Sequence, residues 1–193
     1  MNPYQPVVDF EDAVAKYTGA KYCVAVSSCT AALHLACIWN KVEQVTIPKH
    51  TYCSVPMSII NAGGTVKFNN MHWSGVYQLK PYPIYDSARL FTSKMYEAGE
   101  YQCVSFHASK TLGIEAGGAI LHDNTLADEW FRKARHDGRT PGAAIGNLII
   151  GYHYIMNPST AAIGLLKLHS LPRHNDPLPK DAYPDLSQFE VFS

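Results

Sequence analysis

The chain has 193 residues, of which 47% are hydrophobic and 17% charged, a composition typical of a compact globular protein and not of a disordered one. Sixteen basic residues balance sixteen acidic ones, so the formal net charge is zero and electrostatic binding to nucleic acid is not indicated. The five cysteines form no C-x-x-C pair and the nine histidines no H-x-x-x-H pattern, which argues against a disulfide framework and against a metal site.

The N-terminus lacks the basic and then apolar pattern of a signal peptide, and no apolar run reaches the length needed to cross a bilayer. We therefore expect a cytoplasmic protein without a membrane partner, or a virally encoded one that acts in the host cytosol. The length favours a single domain.

The first third of the chain alternates helix and strand patterns. Phe10, Val14 and Tyr17 have the spacing of an amphipathic helix, and Gly19 follows as its stop. The predicted elements are helices at 10–17, 30–40 and 53–64 and strands at 22–28, 45–48 and 65–68. This order predicts an α/β fold, a three-layer sandwich whose mostly parallel central sheet is covered by helices on both faces.

The rest of the chain continues with strands and then helices. We predict strands at 82–88, 101–106 and 118–121, a helix from Leu126, and an apolar helix in the second half of 151–171. The tail from Pro172 is rich in proline and shows little periodicity. We therefore assign residues 1–171 to one domain and residues 172–193 to an irregular C-terminal tail.

Ligands of an open parallel sheet bind beyond the carboxyl ends of the strands, close to the helix N-termini. "SSCTAAL" joins a strand to a helix, so that the backbone N–H groups of Cys29 and Thr30 and the Thr30 hydroxyl can face an anion. Plain helix capping by Ser28 or Thr30 explains the same residues equally simply.

Three further strand ends carry polar or aromatic groups. Asp86 ends an apolar strand, where a lone carboxylate is costly to bury, although a helix cap or a salt bridge with Arg89 also accounts for it. Tyr52 offers a flat ring surface or ordinary packing. Lys110 follows a strand and precedes a glycine-rich turn, where it is either a reactive amine or a solvated loop residue.

A phosphate cradle, an aromatic ring, an acid and a lysine, in that order at successive strand ends, are the parts that a pyridoxal phosphate site requires. The segments "AVSSCTAALHLA", "IPKHTYCSVPMSIINAGG", "YDSA", "SFHASK" with its following "GG", and "GYHYIM" with "AAIGLLKL" resemble successive motifs of the DegT/DnrJ/EryC1/StrS sugar aminotransferases. That family has the fold type I of the aspartate aminotransferase superfamily, and the resemblance covers most of the chain, from about Phe10 to Leu168.

The resemblance implies a role for each matching residue. Lys110 would bond covalently to pyridoxal 5'-phosphate and later move the proton, and Asp86 would pair with the pyridine nitrogen. Tyr52 would stack on the ring, with Arg89 near the ring hydroxyl. Ser105, Thr30 and the Cys29 N–H would hold the phosphate. His153 would reach the phosphate of a neighbouring subunit, which implies a homodimer with a shared active site.

The sequence also departs from the family pattern. Only seventeen residues separate Phe68 from Asp86, where the family has a longer segment with another strand and helix. Few residues follow "AAIGLLKL", so we expect the C-terminal small domain to be largely absent, as in a pared-down large domain of phage or viral origin. Ile155 replaces a common arginine, Cys29 replaces glycine or alanine, and Glu115 is shifted by one position.

The resemblance implies an aminotransferase that moves an amino group from glutamate, or a similar donor, to a keto-sugar carried on a nucleotide. One alternative keeps the cofactor but makes the protein a dehydratase or another lyase; family dehydratases typically have histidine in place of the lysine, and Lys110 is present. Another alternative is a non-catalytic structural remnant of the family.

Overall fold

The computed structural model describes residues 2–142, 144, 146–179 and 182–192. The five α-helices of this part are α1 (Gln5–Thr18), α2 (Cys29–Trp39), α3 (Ser54–Asn61), α4 (Thr125–Ala134) and α5 (Pro158–Ser170), and two short 3-10 helices follow at Leu186–Gln188 and Glu190–Phe192. The seven strands are β1 (Tyr22–Val26), β2 (Gln44–Pro48), β3 (Thr65–Asn69), β4 (Tyr77–Gln78), β5 (Ile84–Asp86), β6 (Tyr101–Ser105) and β7 (Gly118–His122). None of these helices is long and apolar enough to cross a membrane.

The sheet lies between two layers of helices. Alternate residues of β1 belong to two hydrophobic clusters, one on each face of the sheet. Val24 and Val26 share a cluster with α2, α3 and α4, whereas Cys23 and Ala25 share the other with α1 and α5. This alternation follows from the pleat of a strand, whose successive side chains point to opposite faces. The predicted three-layer α/β architecture is therefore confirmed.

The sheet is mixed and not mostly parallel, which corrects that part of the sequence prediction. Its main part has the order β1-β7-β6-β5-β4, with β5 and β6 parallel and the other neighbours antiparallel. The parallel pair β2 and β3 joins it through the bridge between Thr46 and Lys80. The antiparallel pairs β6–β7 and β4–β5 join strands that follow each other along the chain without a crossover helix.

No pattern in the sequence predicts β4. Tyr77 and Gln78 lie within the short connection between β3 and β5, and they pair with Asp86 and Tyr85 in a two-residue ladder. A strand of two residues is too short to show an alternating pattern. The β4–β5 hairpin lies where the resemblance to the sugar aminotransferases implies a longer segment.

A buried acidic residue ties the first helix to the sheet. Glu11 of α1 is 2% exposed, and it accepts hydrogen bonds from the Ala25 N–H (2.7 Å) and from Arg132 (2.6 Å) and Arg135 of the α4 region. A buried carboxylate of this kind is tolerated because its charge is neutralised and its oxygen atoms are hydrogen-bonded.

The C-terminal segment, residues 172–179 and 182–192, lies along the surface of the domain. Asn175 donates a hydrogen bond to the Phe91 carbonyl, and the Leu178 N–H donates to the Arg89 carbonyl at 2.8 Å. Further along, Asp185 forms an ion pair with Lys49 at 2.7 Å. The buried Leu186 donates its N–H to the Lys49 carbonyl at 2.9 Å. The segment thus crosses from the end of β5 to the end of β2.

His122 is a fully buried histidine at the end of β7. It packs against the rings of Tyr22, Tyr101 and Phe131, and its Nε2 lies 3.6 Å from an Asp128 oxygen. Burial lowers the pKa of His122 to about 4, and the nearby positive charge of Arg132 acts in the same direction, whereas Asp128 opposes the shift. The folded protein therefore keeps this ring neutral at pH values where an unfolded chain protonates it.

We expect His122 to weaken the fold as the pH falls from 6.5 towards 4. In this window the unfolded chain binds a proton that the folded chain does not, and the full contribution is on the order of 3 kcal/mol. Substitution His122→Leu should flatten the pH dependence of the free energy of unfolding, measured by urea denaturation at several pH values. The exposed His72→Leu serves as control; an equal flattening in that variant would contradict the assignment.

The C-terminal segment should open locally once its buried anchor is shortened. Truncating a buried leucine typically costs about 2 kcal/mol or more, so Leu186→Ala should speed amide hydrogen exchange at position 186 by tenfold or more. Amides in β1 and β6 should keep their protection, since the opening is local. Val191→Ala, at a 67% exposed position, is the matched control. A uniform loss of protection throughout the sheet would show that the segment does not open independently.

Candidate active site

A cavity of about 340 Å³ lies at the carboxyl ends of β5 and β6, next to the N-terminus of α2. Its volume falls at the lower end of the range of small-molecule sites, roughly 300–1,000 Å³. Seven of the eight site residues predicted from the sequence line it: Cys29, Thr30, Tyr52, Asp86, Arg89, Ser105 and Lys110. The eighth, His153, lies outside this lining.

The N-terminus of α2 forms one wall. Ser28 is the N-cap, because its side chain accepts the Ala31 N–H at 3.1 Å. The amides of Cys29 and Thr30 precede the first hydrogen bond within the helix, from Ala32 to the Ser28 carbonyl. Ser28 thus caps the helix, as the capping alternative predicts. The amides of Cys29 and Thr30 lie at the positive end of α2, where an anion is favoured, so the anion-binding alternative stays a prediction.

Backbone packing holds this turn in place. A Cβ atom at Gly118, the first residue of β7, would lie 2.5 Å from the backbone nitrogen of Cys29, so any side chain there displaces the turn. Gly117 pairs with Ser28 in an isolated bridge. Ser105 ends β6 beside the same wall and is 8% exposed. The absence of a side chain at Gly118 therefore permits the close approach of β7 to the turn at the start of α2.

Asp86 lies on the floor of the cavity, 6% exposed. Its Oδ1 accepts the Ala88 N–H at 2.9 Å and its Oδ2 accepts the Tyr77 hydroxyl at 2.8 Å. Burial raises the pKa of Asp86, while these two hydrogen bonds and the positive charges of Lys110 and Arg89 act against the rise. A cationic group bound in the cavity would stabilise this carboxylate further.

Lys110 is placed by a compact loop between β6 and β7. Its backbone N–H donates a hydrogen bond to the His107 carbonyl at 2.8 Å, and the Ile114 N–H donates to the Phe106 carbonyl at 3.0 Å. Gly113 has a φ of 59°, and a Cβ there would lie 3.2 Å from the Lys110 carbonyl oxygen. The loop thus turns tightly around Lys110. Lys110 lines the cavity together with Asp86.

Arg89 is 7% exposed, and the C-terminal segment covers it. Its guanidinium donates to the Tyr183 hydroxyl at 3.2 Å and to the Pro179 carbonyl. Tyr183 also lines the cavity, stacked near-parallel on Trp73 with ring centroids 6.3 Å apart. Sequence reasoning did not identify Trp73 or Tyr183 as site residues, because neither lies in a periodic segment or a recognisable motif.

Tyr52 stands at the mouth of the cavity, 56% exposed, with its ring 6.4 Å from that of Tyr183. Thr51, its neighbour, is buried and hydrogen-bonded to the Tyr77 hydroxyl. Neither Thr51 nor Tyr77 was predicted as a site residue. An alternating apolar pattern around Tyr77 would have indicated a strand there, but β4 is too short to show one.

His153 is well exposed and does not line the cavity of its own chain. Its ring lies 3.3 Å from an Asp137 carboxylate oxygen, and its backbone bridges to His136. Among the described residues there is no group of three or more His, Cys, Asp or Glu side chains that could hold a metal ion.

The residues of the cavity fit a cofactor that has both an anionic group and a cationic ring. The first amides of α2 suit a phosphate, and the buried Asp86 suits a protonated ring nitrogen. Lys110 supplies an amine for a carbonyl group in the same cavity. The donor set contains the kinds of groups that pyridoxal 5'-phosphate requires, and they line one cavity.

Comparison with known proteins gives the same assignment. The model of the DegT/DnrJ/EryC1/StrS aminotransferase family matches residues 1–85 and 82–177. GDP-perosamine synthase of Caulobacter vibrioides is 25% identical over 214 residues, covering 87% of this chain and 57% of that protein.

Solved structures agree in fold. A DegT DnrJ EryC1 StrS aminotransferase from Brucella abortus superposes with a TM-score of 0.71 at 17% identity, over 86% of this chain and 59% of that one. NtdA from Bacillus subtilis, with bound cofactor PMP, gives 0.72 at 16% identity, over 86% and 48%. The chain thus spans less than two thirds of the length of these relatives.

The two matched segments overlap at residues 82–85, beside the short connection that contains β4. This is the position at which the sequence lacks the longer segment typical of the family. The fold type I architecture expected from the sequence is confirmed by the structural likenesses. The chain belongs to the DegT/DnrJ/EryC1/StrS aminotransferase family.

Proposed function

We propose that the protein is a pyridoxal-phosphate-dependent aminotransferase that moves an amino group from glutamate, or a similar donor, to a keto-sugar linked to a nucleotide. The observation that carries the proposal is one cavity that brings together Lys110, the buried Asp86 and the N-terminus of α2. The name of the 25% identical relative, GDP-perosamine synthase, supports a nucleotide-linked sugar as the acceptor.

Each side chain has a defined role in this proposal. The cofactor, when bound, supplies an electron sink and a carbonyl carbon that exchanges amino groups. Lys110 holds it covalently through its amine and then carries a proton to and from the substrate carbon. Asp86 keeps a positive charge on the ring nitrogen, and Tyr52 packs on the ring face.

The phosphate is held by Ser105, Thr30 and the Cys29 N–H at the positive end of α2. Arg89 lies beside the ring hydroxyl. Residues 1–171 form the cofactor domain in this proposal, and residues 172–193 form a tail that covers part of it. The hydrogen bonds of Leu178 and Tyr183 with Arg89 support the proposal that the tail covers part of the cofactor domain.

Lys110 provides the first test. Purified protein incubated with pyridoxal phosphate should turn yellow, and borohydride reduction followed by peptide mass spectrometry should place the adduct on Lys110. Substitution Lys110→Ala should abolish the adduct and lower transfer of the amino group from glutamate by at least a thousandfold, because both the covalent attachment and the proton carrier are lost.

Lys167→Ala is a suitable control, since this lysine donates to the Gly113 carbonyl from α5, outside the lining of the cavity. A wild-type protein that binds no pyridoxal phosphate, or an adduct on another lysine, would refute the proposal. Cofactor bound at Lys110 with elimination products and no amino transfer would identify a lyase instead.

We also propose that the protein acts in the cytosol as a homodimer in which His153 of one subunit completes the site of the other. The exposed position of His153, away from its own cavity, supports this arrangement. The exposed Leu148 and Ile150, in the loop before His153, offer apolar surface to a second subunit.

Subunit mixing tests the shared site. His153→Ala and Lys110→Ala proteins should each be weakly active alone, and exchange of their subunits should restore activity, because half of the sites in a heterodimer then contain both residues. A mixture of Lys110→Ala with Asp86→Asn is the matched control: these residues share one cavity, so no heterodimer site is complete. Equal recovery in both mixtures, or none in the first with exchange verified, would contradict the shared site.

A further inference from the structure

The buried side chains of Thr51, Tyr77 and Asp86 are linked in a row by hydrogen bonds. The Tyr77 hydroxyl lies 2.8 Å from Asp86 Oδ2 and 2.6 Å from Thr51 Oγ1. An ionised carboxylate only accepts hydrogen bonds, so Tyr77 donates to Asp86, and the Thr51 hydroxyl in turn donates to Tyr77. Thr51, Tyr77 and Asp86 are 1%, 4% and 6% exposed, so water does not compete for these bonds.

The register of the short hairpin fixes this contact. Tyr77 of β4 stands directly opposite Asp86 of β5 in the antiparallel ladder. A shift of one residue would turn the Tyr77 side chain to the other face of the sheet and break the contact. Thr51 reaches the same hydroxyl from the turn between β2 and α3. Tyr77 belongs to the connection in which this chain is shorter than its family.

The remaining groups that face Asp86 act on it from other elements. The Ala88 N–H binds the other carboxylate oxygen, and Lys110 and Arg89 contribute positive charge. The thiols of Cys29 and Cys103 are close enough to interact with it, and burial raises the pKa of both, so they remain neutral. Tyr77 is therefore the side-chain hydroxyl that binds Oδ2 directly.

We propose that Tyr77, oriented by Thr51, is a positioning residue of the active site, which holds the Asp86 carboxylate ionised and directs it towards the ring nitrogen of the cofactor. The inference rests on the proposed function for the identity of that ring. A hydrogen bond to an ionised acceptor favours its charged form. With this bond in place, the proton shared between Asp86 and the ring remains on the nitrogen, where it makes the ring the stronger electron sink.

The first test uses protein without cofactor. The Asp86 carboxyl carbon is followed by ¹³C NMR against pH in aspartate-labelled protein and assigned with Asp86→Asn. Tyr77→Phe keeps the ring and removes only the hydroxyl, so it should raise the proton affinity of Asp86 by about tenfold or more. Thr51→Val, which removes the donor to Tyr77, should act in the same direction but less.

Tyr101→Phe is the matched control. Its hydroxyl is also buried and hydrogen-bonded, to Trp39 and Asn124, but it does not touch Asp86. This variant should leave the Asp86 titration unchanged, which separates a direct effect from general damage to the fold. An unchanged titration in both Tyr77→Phe and Thr51→Val, or an equal shift in Tyr101→Phe, would overturn the inference.

The second test uses protein loaded with pyridoxal phosphate. Tyr77→Phe should retain the Lys110 adduct and the KM for the amino donor within about threefold, while kcat of the half-reaction falls about tenfold, as expected for a lost transition-state effect. The same kcat as wild type would count against the role. Failure of the wild-type protein to bind the cofactor would refute the proposed function alone, since the titration without cofactor remains valid.

Discussion

A carboxylate buried inside a sheet needs hydrogen-bond donors or positive charge around it, and Asp86 imposes this requirement on the whole candidate site. An amide from its own turn, a tyrosine from the opposite strand and two cationic side chains from neighbouring loops supply what is needed. The raised pKa of Asp86 shows that burial still outweighs them in the protein alone. A cationic ligand in the cavity would therefore stabilise the ionised form of Asp86 further. This is the physical basis for expecting a protonated ring there.

The short β4–β5 hairpin shows how the sheet remains complete with a shortened connection. The two residues of β4 pair with β5, and Lys80 just after them bridges to Thr46 of β2. The hairpin thereby fills the gap between the parallel pair β2 and β3 and the rest of the sheet. It also brings Tyr77 to Asp86, so the part of the chain that departs most from the family contributes directly to the centre of the site.

The C-terminal segment contributes in a similar way. Its contacts are those of a surface strap: backbone hydrogen bonds to the Arg89 and Lys49 carbonyls, an ion pair and one buried leucine. Through Tyr183 it adds an aromatic wall to the cavity and binds the Arg89 guanidinium. The shape of the cavity mouth thus depends on residues far from the family motifs in sequence, which is a reason to expect that its selectivity differs from that of longer relatives.

The sequence by itself determined the layered α/β architecture and the positions of most helices and strands. It also identified eight candidate site residues, and seven of them, including Lys110 and Asp86, line the cavity. These features depend on local patterns: helical spacing, apolar strands and short motifs at strand ends. Only the tertiary structure decided the antiparallel partners of β7 and β4, the hydrogen bond from Tyr77 to Asp86 and the approach of Tyr183 to Arg89. Strand direction and these contacts join residues that are distant along the chain or lie in segments too short or irregular to have a pattern, so packing and hydrogen bonding in three dimensions fix them.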